Sequence, residues 1–193
     1  MFLIPLLTIV VFGQEEFKEP QYWIMLNRTE PVTYEVRHYN TRWAVEAEYE
    51  THDNSPFMKL AAYIGVEGEP ENDKGTEIAM TVPVIMAIDG SGKKTMKFLL
   101  PEELNKPNKI PNPIDENIVI KEMLPTVGVV HKFSGSYDID SSKEIFDQMV
   151  EQLRADGLSD MTSETPYEFW GYSKPLTSPE LRRNEIWIEL NHY

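Results

Sequence analysis

The sequence predicts an α+β domain made of two copies of a strand–strand–helix–strand–strand unit. Three observations predict it. Apolar residues alternate with period two at both ends of each half, each half carries one stretch of helical period, and a Pro- and Asn-rich connection (101–116) separates the halves. At an offset of 84, Tyr34-Glu35-Val36-Arg37 falls on Ile118-Val119-Ile120-Lys121, and Trp43-Ala44-Val45 falls on Val127-Gly128-Val129. Tyr63-Ile64-Gly65 echoes Trp170 and Gly171, and Glu77-Ile78 echoes Glu185-Ile186. Such a duplication sets two helices against a curved or closed sheet.

The elements follow in order. A polar, Pro-containing stretch, 14–31, reads as an amino-terminal arm, with the folded domain over 32–193. Residues 33–50 read as strand, break, strand. Tyr34, Val36 and His38 share one face; then Trp43, Val45, Ala47 and Tyr49 alternate with Glu46, Glu48 and Glu50. Ser55-Pro56 opens a helix carrying Phe57, Leu60, Ala61 and Ile64 at helical spacing, and Gly65 suits its end. Ile78, Met80, Val82, Val84, Met86 and Ile88 alternate as one strand, with Pro83 in the opposite phase marking an edge or bulge. Asp89-Gly90-Ser91-Gly92 turns the chain into a hairpin partner over 93–101. The second half repeats the plan. Residues 117–135 are strand, break, strand; Ser141-Ser142-Lys143-Glu144 reads as a capping box. The helix it opens carries Ile145, Phe146, Met149, Val150 and Leu153 and ends near Gly157; 169–175 and 184–190 supply the last strands.

Composition narrows the function. At 193 residues the chain fits one domain with a single core. A formal charge of −14, spread along the chain, excludes nucleic acid and anionic membrane surfaces as expected partners, because both need a basic face. There is no Cys, hence no disulfide, thiolate metal site or Cys-ligated haem. The opening MFLIPLLTIVVFG is too short to span a bilayer and reads as a signal peptide over 1–13, cut before Gln14. Secretion is the expectation, with a cytoplasmic location as the alternative if the leader is not cleaved. Asn27-Arg28-Thr29 is an N-glycosylation sequon usable on that route. No nucleophile elbow, P-loop or dinucleotide fingerprint is present.

Four separated stretches resemble one family. Tyr34-Glu35-Val36-Arg37-His38-Tyr39, Met80-Thr81-Val82-Pro83-Val84, Gly171-Tyr172 and Arg182-Arg183-Asn184-Glu185-Ile186-Trp187 are similar, in order and spacing, to motifs of the SOUL haem-binding proteins. The resemblance implies a distorted β-barrel with two helices and pseudo-twofold symmetry. It implies non-covalent binding of haem or free porphyrin, no common catalysed reaction, and a pocket between the first helix and the loop leading to the last strand. The corresponding positions are Phe57, Met58, Leu60, Ala61 and Tyr63, with Tyr172, Lys174 and Leu176 opposite. Arg37-His38-Tyr39 resembles the branch in which this histidine is proposed as axial haem ligand. Asn72-Asp73-Lys74-Gly75 resembles the other branch, where two basic helix residues meet the propionates. Here those positions are Asn54 and Ala62, which cannot do so; Lys59, Lys174 or Arg182-Arg183 are the available substitutes.

A haem site needs an apolar slot, a basic or hydrogen-bonding mouth and, optionally, a neutral imidazole on iron. His38 is the best imidazole; otherwise it is a half-buried strand histidine bonded to a neighbour. His131, in phase with Val127, Val129 and Phe133, reads as a satisfied core residue, while His52 and His192 lie in a polar loop and the tail. Met80 and Met86 read as core, and Glu46, Glu48 and Glu50 as a solvated face. The leading expectation is a monomeric haem or porphyrin carrier or buffer and not an enzyme. Two alternatives are a hydrolase or sensor of another small hydrophobic ligand, marked by a buried pocket glutamate, and a protein-interaction module, marked by an exposed apolar patch.

Overall fold

A computed structural model describes residues 17–50, 55–66, 68–136, 138–158 and 161–190. The leader 1–13, His52, Asn54 and His192 lie outside the described residues. Nine strands and two α-helices form one antiparallel sheet with helical cover. In chain order these are β1 (Tyr22–Arg28), β2 (Tyr34–Tyr39), β3 (Arg42–Tyr49), α1 (Ser55–Ile64), β4 (Val84–Ile88) and β5 (Lys94–Leu99). The second half holds β6 (Ile118–Met123), β7 (Thr126–Phe133), α2 (Lys143–Ala155), β8 (Tyr167–Gly171) and β9 (Asn184–Glu189). The hydrogen-bonded order is β1-β2-β7-β9-β8-β4-β5-β3-β6.

This order contains the duplication. Val36 lies opposite Val129 in the β2–β7 ladder, and Ile120 opposite Val45 in β6–β3; adding 84 turns Val36 into Ile120 and Val45 into Val129, so each ladder is the other with its halves exchanged. The two halves meet in a third ladder, where Met86 of β4 faces Phe169 of β8. The shift grows between the last two strands of each half, because the connection from β8 to β9 (172–183) is longer than that from β4 to β5 (89–93): Phe98 faces Val45 while Ile188 faces Val129, an offset of 90. The echoes of Tyr63–Gly65 with Trp170–Gly171 and of Glu77–Ile78 with Glu185–Ile186 therefore relate elements that are not equivalent.

The barrel implied by the resemblance is not closed, since β1 and β6 share no ladder and remain edges among the described residues. The sheet nevertheless curls. Asn40 and Thr41 alone join β2 to β3, which are six steps apart in the ladder, so the ends of these two strands lie within about 11 Å. Three further expectations change. Tyr22–Arg28, within the expected arm, is strand β1 paired with β2. The alternating strand of 78–88 shrinks to Val84–Ile88, because Pro83 has no N–H to give a ladder; Thr81 makes only an isolated bridge to Lys18. The capping box does not form. The Ser142 hydroxyl donates to the Ile139 carbonyl (2.7 Å), and the Asp138 carboxylate accepts from the Ser141 N–H (2.7 Å).

Both faces of the sheet are covered. The larger core joins Tyr34, Val36, Val45, Val129, Phe169 and Ile186 to the inner stripes of both helices, including Leu60, Tyr63, Phe146 and Leu153. Opposite it lies an aromatic cluster of Tyr39, Trp170, Tyr172 and Trp187 with Ala44, Ile85, Leu99 and Val130.

Candidate functional site

His38 stands in β2 on the helix-bearing face, with Tyr34 and Val36, between Trp23 of β1 and Val127 of β7. It is half-buried, and its ring lies 5.6 Å from the Trp23 indole at 47°. Among the described residues its ring makes no hydrogen bond. His131 is its opposite: the Thr33 carbonyl oxygen is 2.6 Å from Nδ1, and since a carbonyl only accepts, that nitrogen carries the proton. Here the strand histidine that is satisfied by a neighbour is His131, whose ring also stacks 6.3 Å from Phe133. Among the described residues nothing engages the His38 lone pair, so it can serve a ligand.

Beside His38 the edge strand is unusually open. Trp23, Ile24, Met25 and Leu26 are 53, 51, 60 and 42% exposed. Trp23 and Leu26 share the face of His38 and Val36, because a β-bulge between Ile24 and Leu26 puts Met25 out of step and resets the alternation. The result is an apolar shelf with an imidazole set into it. Its far end is fixed by Arg28, whose guanidinium meets Asp156 at 2.5 Å, and by the Tyr34 hydroxyl, which donates to the same carboxylate at 2.7 Å.

The other positions implied by the resemblance are distributed over two more places. Leu60, Ala61 and Tyr63 are wholly buried against the sheet, with the Tyr63 hydroxyl donating to the Pro111 carbonyl (2.8 Å). The helical stripe that predicted them is the stripe that packs α1, so they form no accessible wall. Phe57 is half-buried edge-on to Phe98 (5.2 Å), while Met58 points outward, 43% exposed. Tyr172 lies on the other face of the sheet, in the aromatic cluster, and donates to Glu185 (2.9 Å). Burial pushes its hydroxyl well above the usual tyrosine range. Lys174 sits over the Phe17 ring at 5.5 Å, and Leu176 is fully exposed. The proposed propionate partners Arg182 and Arg183 are already engaged. Arg182 donates to the Thr177 carbonyl (2.9 Å), and Arg183 pairs with Glu19 (2.7 Å) and Glu185 (3.0 Å).

Sequence reasoning missed the polar interior of that second face. Arg37 and Glu185, both fully buried, form an ion pair at 2.8 Å, and Glu35 closes on the same guanidinium at 2.7 Å. Glu185 thus meets two arginines and a tyrosine hydroxyl, which occupies its oxygens. Arg42 spans the Tyr39 ring at 4.3 Å and the Trp170 ring at 5.8 Å, and Trp170 stacks on Trp187 at 5.3 Å. The two clefts that Arg42 lines, of about 550 and 490 Å³, contain none of the nine positions named from the resemblance. In the second, Glu46 and Glu168 are engaged by Lys97 and Lys121. No described group of His, Asp and Glu is arranged to hold a metal ion.

The sequence model of the SOUL heme-binding protein family matches residues 17–189. The chain belongs to this family. Its relatives include Heme-binding protein 1 of Sus scrofa, 31% identical over 138 residues with 67% of each chain covered. Heme-binding protein 1 of Mus musculus is 30% identical over the same length and share. Among solved structures, the crystal structure of the EcmrR C-terminal domain superposes with a TM-score of 0.54 at 13% identity, covering 88% of this chain and all of that one. A hydrolase from Listeria innocua gives 0.52 at 12%, covering 82% of this chain and 91% of that one. At these identities the two structures share the fold with this SOUL-family chain and nothing more.

Proposed function

We propose that this chain binds haem or a related porphyrin non-covalently and does not transform it, with the macrocycle lying on the Trp23–His38 shelf. One observation carries the reading: His38 is half-buried, unbonded among the described residues, and flanked by an exposed indole and an exposed leucine. The shelf supplies apolar contact for the disc, and a neutral imidazole supplies an iron ligand. The related Heme-binding protein 1 chains support the same ligand class. A carrier role over an enzymatic one is supported by Glu185, the fully buried carboxylate of the second face, whose oxygens are taken up by Arg37, Arg183 and Tyr172. We also read the chain as secreted, with Asn27, exposed in β1, as a glycosylation site; mass spectrometry of protein collected from the medium reads the mature terminus and the state of Asn27 together.

The outer side of α1, at Phe57 and Met58 beside Lys59, is the second apolar surface, one that holds a porphyrin by contact alone. Titration with hemin and with metal-free protoporphyrin separates the two. On the shelf, hemin gives a saturable Soret shift at micromolar protein, about 8 kcal/mol of binding, and His38→Ala changes the hemin spectrum while leaving metal-free binding intact. An unchanged spectrum in His38→Ala moves the pigment to the second surface. No saturable shift with either pigment overturns the function.

A further inference from the structure

Edge strands of soluble sheets are ordinarily guarded by charge, and the two edges here differ in this respect. The β6 edge presents exposed Lys121 and Glu122 among its six residues. The β1 edge, Tyr22–Arg28, presents Trp23, Ile24, Met25 and Leu26 in unbroken succession and holds no charge before Arg28, which is tied to Asp156. Among the described residues it is hydrogen-bonded on one side only, to β2. Its four apolar side chains together leave on the order of 300–400 Å² open, with Trp23 and Leu26 on the face of His38 and Ile24 on the other.

We propose that β1 is a self-association surface at which a second copy of this chain adds its own β1 antiparallel, joining two sheets through a twofold axis at Met25. The strand suits its own copy. Antiparallel pairing about Met25 sets Tyr22 opposite Arg28, Trp23 opposite Asn27 and Ile24 opposite Leu26, so apolar meets apolar at the centre and no like charges meet. Two copies of the patch bury roughly 700 Å² of side chain, and two seven-residue strand edges bring the total to about 1,000 Å², the lower limit of a specific interface. Such a dimer is weak and is opposed at low salt by the net charge of −14 on each copy. Pairing covers Trp23 and Leu26, which also form the porphyrin shelf, so a pigment on the shelf competes with the second copy. A glycan on Asn27 would project at Trp23 of the copy, so the unglycosylated chain is the species that pairs.

The test is light scattering and sedimentation equilibrium on bacterially expressed protein, with and without residues 1–13, across a wide concentration range in low and high salt. The mass should rise with concentration from one chain to two and stop, at lower concentration in high salt, in both forms. Ile24→Lys and Met25→Lys should weaken the step at least tenfold with unchanged near-ultraviolet circular dichroism; Met25→Ser is the milder variant if a lysine disturbs the fold. A single-chain mass throughout overturns the proposal. So does association confined to the form carrying 1–13, growth beyond two copies, which points to β1–β6 pairing, or variants that associate like the parent.

Discussion

Gly128 is where the two halves of the chain are least interchangeable. Its counterpart in the first half is Ala44, which pairs with Leu99 across β5; Gly128 pairs with Glu189, and the rigid indole of Trp187 leans over it from the next position of that face. A methyl group on Gly128 would lie 2.4 Å from two Trp187 ring carbons and 2.7 Å from the Ile188 carbonyl oxygen. The indole cannot swing away freely, because it stacks on Trp170 at 5.3 Å and meets Tyr39 edge-on at 5.3 Å. The main-chain oxygen cannot yield without opening the β7–β9 ladder. Overpacking of a filled core costs about 1–3 kcal/mol, and a backbone contact belongs at the top of that range. Gly128→Ala is therefore expected to cost about 3 kcal/mol, a fall in Tm of roughly 6–12 °C for a domain of this size. Thermal unfolding followed by near-ultraviolet circular dichroism reads both the fall and the disturbed tryptophan stack. A Tm within about 2 °C of the parent would refute the packing argument.

Glu185→Ala leaves Arg37 buried with only Glu35, and equilibrium urea unfolding should show a loss near the lower end of about 3–5 kcal/mol; Arg37→Met combined with Glu185→Leu should recover most of it. Recovery failing in the double variant would mean that packing, and not the stranded charge, sets the cost. Burial pushes the Tyr39 and Tyr63 hydroxyls up to about 12, above the ordinary value of 10. A raised folded-state pKa gives stability that is complete below pH 10 and lost as pH climbs through about 12, so alkaline unfolding should fall in that window together with tyrosinate absorbance. Tyr63→Phe should remove its share of the dependence. All tyrosines ionising near pH 10 with the fold intact would contradict this.

Period and punctuation made much of the architecture readable. Trp43, Val45 and Ala47 alternate as β3 does, Gly65 ends α1 with φ +82°, and Gly157 follows α2 with φ +71°. The offset of 84 reproduces the registers of β2–β7 and β3–β6. β1 was illegible for a physical reason: four consecutive apolar residues around a bulge show neither period, and only pairing with β2 makes them a strand. The burial of Arg37 and Glu185 was illegible because charge is usually exposed, and nothing in a linear pattern reveals that the Arg37 guanidinium reaches across β7 to Glu185 of β9. On the site, the phase of His38 was readable, but its freedom from hydrogen bonds and its indole neighbour were not. Leu60, Ala61 and Tyr63 illustrate the converse, since apolar periodicity marks what a helix buries and not what it offers to a ligand.

The central claim is where the pigment lies, and paramagnetic broadening by hemin in a heteronuclear NMR spectrum tests it most directly. Resonances of residues 22–26, of Val36 to His38 and of Val127 should broaden first and saturate with the Soret change, and His38→Ala should attenuate the effect. Broadening that begins at residues 57–59, or at 174–177, and spares Trp23 and His38 would contradict the account.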